Sequence, residues 1–315
     1  MSEQLLASKQ PLVFGTEGYD YLARKICDFD GFQVGRLERV MFPDGERYMR
    51  ILDNVDYRDV VLVGGTISDT DTLEIFDLAC ALVKYGAQSL AMVIPYFGYS
   101  TMERAVKDGE VVTAKNRARL LSAVPPAKFG NRLVFLDLHA DGLPEYFEGE
   151  VTTAHLHARS FVRKAAAQLS DGNFVLGCTD AGRAKWVQTL AQDLGVSASF
   201  VMKRRTDGAT TELIAVSAHV AGRDVIIYDD MIRTGSSLLT AAKAYLDAGA
   251  RSTAAIATHG VLPGDSLREL ENSGLFTKII CTDSHPRARS LQNHFLQVET
   301  IADILSQYLL TGAME

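Results

Sequence analysis

The chain reads as an α/β protein with mainly parallel sheets flanked by helices, on three observations. Strand-length apolar runs alternate with amphipathic helical stretches along its whole length. The alternation runs from 11 to about 137 and starts again near 157, which predicts two similar units in tandem. At 315 residues the chain is long enough for two cores. The expected division is a unit over 1–150 and a second over 151–315.

Strands are expected at PLVF (11–14), DVVLVGG (59–65), SLAMVIPY (89–96) and RLVFLDL (132–138) in the first unit. In the second they are expected at NFVLGC (173–178), ASFVM (198–202), RDVIIYDD (223–230), STAAIATH (252–259) and TKIICT (277–282). Helical patterns lie between them, over 71–86, 113–124, 157–169, 182–195 and 236–250. In the last, Leu238, Leu239, Ala242, Tyr245 and Leu246 recur at the period of a core-facing stripe. Parallel strands joined by helices need helices on both faces of the sheet.

Composition limits the function. The chain is 47% hydrophobic and 23% charged, with a net charge near −7. That balance argues against a general nucleic-acid or anionic-membrane binder, which needs a basic surface. The apolar runs are too short to span a bilayer, and MSEQLLASKQ lacks a basic-then-apolar signal pattern. A cytoplasmic protein is expected. The four cysteines are widely spaced with no CxxC pair, so reduced thiols are expected.

The most informative stretch is VIIYDDMIRTGSSL, 225–238. An apolar strand is expected to end at Tyr228, putting Asp229 and Asp230 at its carboxyl end, where open α/β sheets bind ligands. Arg233, Thr234, Gly235, Ser236 and Ser237 then lead into a helix, offering N–H groups and hydroxyls to an anion. The acids suit sugar hydroxyls, or Mg²⁺ held through water. The ligand so described carries both a diol and a phosphate. An acidic helix cap is the plainer reading, but one Asp beside the helix would serve for that.

This stretch resembles the phosphoribosyl-binding loop of type I phosphoribosyltransferase-fold proteins. FPDGE (42–46), IPYFGY (94–99), TAKNRARLL (113–121), DLHAD (137–141), CTDAG (178–182), KRR (203–205) and ATHGVL (257–262) narrow the resemblance to ribose-phosphate pyrophosphokinases. The resemblance implies two tandem type I phosphoribosyltransferase-like domains, with the sugar-phosphate loop in the second. The implied reaction is Mg²⁺-dependent transfer of a diphosphoryl group from ATP to the anomeric hydroxyl of ribose 5-phosphate, giving phosphoribosyl pyrophosphate and AMP. It further implies roles residue by residue. Lys203 and Arg205 stabilise the transition state from a polar loop able to close over the phosphates. His139 and Asp180 hold the metal. Phe42, Asp44 and Glu46 border the adenine from a loop that reaches a neighbouring subunit, implying a homo-oligomer, commonly a hexamer.

The chain departs from the family pattern in both substrate segments. Thr101 and Met102 replace an Arg-Gln pair that contacts ATP, leaving Arg104 as the candidate phosphate contact. Arg233 stands where the family usually has Asp, and GLPEYFEGEVTTAHLHA (142–158) replaces a glutamine-containing segment. Three alternatives follow: a larger acceptor such as ADP-ribose, a phosphoribosyltransferase, and a catalytically inert regulatory homologue. Detection of AMP with each acceptor separates them.

Overall fold

The structure, a computed structural model, describes residues 10–314 except 180, 207–209 and 218, and omits the side chains of 181 and 203–215. Contacts divide it into two compact units, one reaching to His157 and taking back Ala302–Met314, the other spanning Ala158–Ile301.

The first unit holds β1 (Leu12–Gly15), α1 (Asp20–Cys27), β2 (Gln33–Val34), β3 (Leu37–Met41), β4 (Arg47–Ile51), β5 (Asp59–Val63), α2 (Asp69–Lys84), β6 (Ser89–Ile94), α3 (Thr113–Ser122), β7 (Asn131–Leu136) and β8 (Val151–Leu156). Its sheet is parallel throughout, in the order β2-β1-β5-β6-β7-β8. β1 is buried along its whole length and β5 from Val60 on, as expected for strands covered on both faces. α2 shows why a helix starts where it does. Ser68 caps it, its Oγ accepting from the Asp71 N–H at 3.1 Å, and Asp69 and Asp71 face the positive end of the helix dipole. Ile75, Leu78, Ala79 and Leu82 bury its apolar stripe in the core beneath β5 and β6. β3 and β4 form a separate antiparallel hairpin, with Phe42–Glu46 as its turn.

The second unit holds α4 (Arg159–Leu169), β9 (Phe174–Cys178), α5 (Ala184–Leu194), β10 (Ser197–Thr206), β11 (Thr210–Val216), β12 (Asp224–Ile232), α6 (Ser236–Asp247), β13 (Ser252–Gly260), α7 (Ser266–Asn272), β14 (Ile279–Thr282), α8 (Pro286–Leu291) and β15 (Leu296–Glu299). Its sheet runs β11-β10-β9-β12-β13-β14-β15, parallel except for the β10–β11 pair. The chain ends in α9 (Ala302–Thr311), which packs on α1. This explains its return to the first unit, where the Arg132 Nη1 also donates to the Tyr308 hydroxyl at 3.4 Å.

Three local expectations change. β12 does not end at Tyr228 but continues to Ile232, because Asp229, Met231 and Ile232 keep their ladder partners on β13. KRR does not follow a strand but lies within β10, paired antiparallel with β11. VTTAHL, absent from the expected strands, forms strand β8, whose polar character suits an edge strand paired on one side only. Cys178 and Cys281 are buried and Cys27 and Cys80 half-buried, all as thiols. Among the described residues no helix is long and apolar enough to cross a membrane.

Candidate active site

Strand order in the second sheet reverses between β9 and β12, so the crevice for a ligand lies between the loops that follow these two strands. Thr179 follows β9 directly, is 2% exposed, and donates its hydroxyl to Asp229 Oδ2 at 3.0 Å. The Asp230 N–H donates to Asp229 Oδ1 at 3.0 Å. Burial pushes the Asp229 carboxyl up to about 8, and the neighbouring Asp230 charge adds to the effect. Asp230 is only 2% exposed and is met by the Arg183 guanidinium at 2.7 Å. The acids therefore divide the work: Asp230 is neutralised from within, while Asp229 keeps a part of its surface open.

The loop expected to bind phosphate leads directly into α6. Gly235 is its N-cap at φ +81°, and a Cβ there would come within 2.8 Å of the Leu270 side chain. Glycine is thus required both by the left-handed backbone and by close packing. Thr234, Ser236 and Ser237 are exposed around it, with the Thr234 and Ser236 hydroxyls 3.3 Å apart. The arrangement is an N-terminal anion cradle on a twelve-residue helix. Arg233 is exposed at its edge. Lys203 and Arg205 lie on β10 opposite Leu213 and Thr211, but their side chains are outside the described part of the structure. Asp180 lies outside the described residues.

In the first unit, the turn bearing Phe42, Asp44 and Glu46 is fixed by its own backbone. The Gly45 N–H donates to Phe42 O at 2.9 Å, the Phe42 N–H to Glu46 O at 2.8 Å, and the Glu46 N–H to Asp44 Oδ1 at 3.1 Å. Gly45 is at φ +91°. Phe42 is 44% exposed beside Tyr48, with ring centroids 6.2 Å apart. Both hairpin strands are anchored to Glu74 through Arg39 and Arg47, and sequence reading did not single Glu74 out. Arg104 is exposed and lies 3.4 Å from Glu103 Oε1.

His139 is half-buried just beyond β7. It is not among the ligand-type side chains that gather at this sheet edge, which are Asp137, His155 and His157. Asp137 Oδ1 lies 3.2 Å from His157 Nδ1, and the two imidazole centroids are 4.4 Å apart. The signal for this cluster was the His-x-His spacing, legible only once VTTAHL is taken as a strand. Arg183 gave no such signal.

Comparison with known proteins places this architecture. Residues 12–124 match the N-terminal domain of ribose phosphate pyrophosphokinase, and 191–311 match a phosphoribosyl synthetase-associated domain. A ribose-phosphate pyrophosphokinase of Fusobacterium nucleatum is 32% identical over 268 residues, covering 84% of this chain and 82% of that protein. One from Porphyromonas gingivalis is 30% identical, covering 94% and 92%. A crystal structure of phosphoribosylpyrophosphate synthetase from Mycobacterium smegmatis has the same fold, with a TM-score of 0.84 over 97% of this chain and 100% of that one, at 24% identity. With both halves matched in order and relatives aligned over most of their length, the chain belongs to the ribose-phosphate pyrophosphokinase family.

Proposed function

We propose that the protein transfers a diphosphoryl group from ATP to the anomeric hydroxyl of ribose 5-phosphate, releasing AMP. Its membership of the family supports this, and one observation carries it: a partly exposed carboxyl group, Asp229, stands six residues before a glycine-capped helix N-terminus. The helix end and the hydroxyls of Thr234, Ser236 and Ser237 take the sugar phosphate. Asp229 accepts from the ribose hydroxyls, and Asp230, held by Arg183, fixes the strand behind it. Arg233 adds a cation at the rim of the phosphate site.

The nucleotide is assigned to the first unit's residues, with Phe42, Asp44 and Glu46 against adenine and Arg104 at a phosphate. Lys203 and Arg205 are assigned to the charge that develops during transfer. No covalent nucleophile is needed, because positioning and electrostatic stabilisation carry such transfers.

Mg²⁺ is the cation this chemistry uses, and the donor chemistry fits it. The Asp229 carboxyl, partly exposed at the ligand end of the sheet, is an oxygen donor that a mostly hydrated divalent ion reaches through water. His139 and Asp180 are the side chains assigned to hold it. When bound it neutralises the triphosphate and lowers the cost of bringing a hydroxyl to it. Exposed Met41, at 59%, and Phe42, at 44%, support a homo-oligomer in which the hairpin tip meets another subunit.

The test is product analysis. With Mg²⁺, ATP and ribose 5-phosphate, AMP and phosphoribosyl pyrophosphate are expected in equal amounts. AMP formed only with ADP-ribose, or no AMP with either acceptor, overturns the proposal.

A further inference from the structure

IPYFGY and TAKNRARLL stand apart in the sequence, and the fold of the first unit brings them to one carboxylate. Past β6 the chain is pinned at Gly98, whose N–H donates to the Thr66 hydroxyl at 2.7 Å and where a Cβ would overlap Thr66 O. Tyr99 follows at φ +62°, a left-handed setting that is an outlier for a bulky residue. Its hydroxyl donates to Asp69 Oδ1 at 2.8 Å. Arg117 Nη2 donates to the same oxygen, and the guanidinium carbon lies 5.1 Å from the centroid of the Tyr99 ring. Asp69 opens α2 and Arg117 lies on α3, so one tyrosine is gripped from two helices.

Tyr99 is the root of an exposed arm. The Met102 N–H donates to Tyr99 O at 2.8 Å, closing the short 3₁₀ turn Ser100–Met102, and residues 104–111 are all exposed. α3 reaches the far end of the turn as well. The Tyr146 hydroxyl donates to Glu103 O at 2.5 Å, and Lys115 Nζ lies 5.5 Å from the Tyr146 ring centroid. Two local costs mark the root: the strained backbone of Tyr99, and an Arg117 Nε that is buried with no hydrogen-bond partner among the described residues. Each lowers stability, and strain of this kind persists where the surroundings hold it for function. The turn carries Thr101 and Met102, which offer no charge to a phosphate, so Arg104 is the cation nearest the root.

We propose that Arg117 is a positioning residue for the nucleotide, a role that rests on the assignment of Arg104 to an ATP phosphate. Held on Asp69 and stacked on Tyr99, it keeps the 100–104 segment in the direction that brings Arg104 to the phosphates. Its planar guanidinium suits both contacts, with a fork for the carboxylate and a face for the ring. Arg117 acts through Tyr99 and does not itself meet the substrate.

The experiment is calorimetric titration of the full-length protein with α,β-methylene-ATP in millimolar Mg²⁺, joined to steady-state kinetics. Arg117→Met keeps the length of the side chain and removes its charge and its plane. It is expected to weaken the analogue and raise the KM for ATP about tenfold, with kcat and the KM for ribose 5-phosphate held within about twofold. Arg117→Lys, which keeps the charge, is expected to regain part of the loss. Asp69→Asn, at a side chain 70% exposed, opens the same clamp without putting the fold at stake. It is expected to match Arg117→Met, and the double variant to lose no more than either alone. Tyr99→Gly relaxes the backbone, since glycine is at ease at this φ, and is expected to lose the same affinity. Thermal melting checks that each variant is folded. Arg104→Ala tests the nucleotide assignment by itself. A loss in Arg104→Ala beside native affinity in folded Arg117→Met and Asp69→Asn overturns the proposal alone. No loss in Arg104→Ala takes ATP away from this segment and overturns both. Equal losses for the two substrates in Arg117→Met make it a support of the fold and also overturn the proposal.

Discussion

Glu74 Oε2 accepts from Arg47 Nη1 at 2.6 Å, and the Glu74 side chain is 1% exposed. Its other oxygen accepts from Arg39 Nε at 3.0 Å and from the Glu17 N–H at 2.9 Å. Arg39 and Arg47 belong to the two strands of the hairpin, and Glu74 to α2. One buried carboxylate thus fastens both strands below the Phe42–Glu46 turn.

Glu74→Gln keeps the shape and removes the charge, leaving Arg39 without its carboxylate and Arg47 with only Glu17, 3.8 Å away. Removing one partner of a buried pair costs about 3–5 kcal/mol. A fall of several degrees in melting temperature is expected. If the turn serves the nucleotide, the KM for ATP rises about tenfold or 1.4 kcal/mol while that for ribose 5-phosphate stays constant. A lowered melting temperature with both KM values unchanged would remove the hairpin from the nucleotide site.

Lys203→Ala is expected to lower kcat on the order of 10²–10³-fold with little change in either KM, since its charge is needed as the diphosphoryl group transfers. Steady-state kinetics decide it. A loss confined to KM means uniform binding and contradicts the assigned role.

Asp229→Asn is expected to weaken ribose 5-phosphate binding and yet stabilise the free protein at alkaline pH. The folded carboxyl is raised from 3.8 to about 8 by burial and by Asp230. The folded state therefore holds a proton that the unfolded state has released, so stability falls as pH rises through this window and is lost above about 8. Melting curves from pH 6.5 to 9 should show a decline in the native protein that is flattened in the variant. Parallel curves would show that the carboxyl is not raised.

His285 gives the opposite slope on the acid side. Burial, then the nearby His259 and Arg287, lowers it from 6.5 to about 4. It is neutral when folded but charged when unfolded in that range, so stability is complete above about 6.5 and is lost as pH falls toward 4. Its imidazole also caps α8, accepting from the Arg287 N–H at 3.2 Å. His285→Asn keeps a capping acceptor and removes the titration. Its melting temperature should fall less than that of the native protein between pH 6.5 and 4.5. An equal fall in both would place the acid sensitivity elsewhere.

Much of the fold was legible in the sequence. Strands such as DVVLV and helices such as 236–247 follow from apolar periodicity, and the Pro-Asp-Gly turn from residues that accept its backbone. The polar strand β8 was not legible, because VTTAHL looks like loop until its neighbour β7 is in place. KRR was read as the start of a loop because its charges mask the strand they occupy. The ordered motifs pointed to the family, and the relatives bear that out.

By itself the sequence determined what depends on near neighbours: alternating strands and helices, the glycine-capped start of α6, and the paired acids before it. Tertiary structure decided what depends on which strands pair. Thr179 reaches Asp229 across 50 residues, and Glu74 receives the Glu17 N–H across 57. Arg183 neutralises Asp230 only because β9 lies beside β12, and Asp137 meets His157 only because β7 and β8 share a register. The physical reason is range. Turn and helix preferences act over a few residues, whereas a buried charge finds its partner only when the sheet assembles.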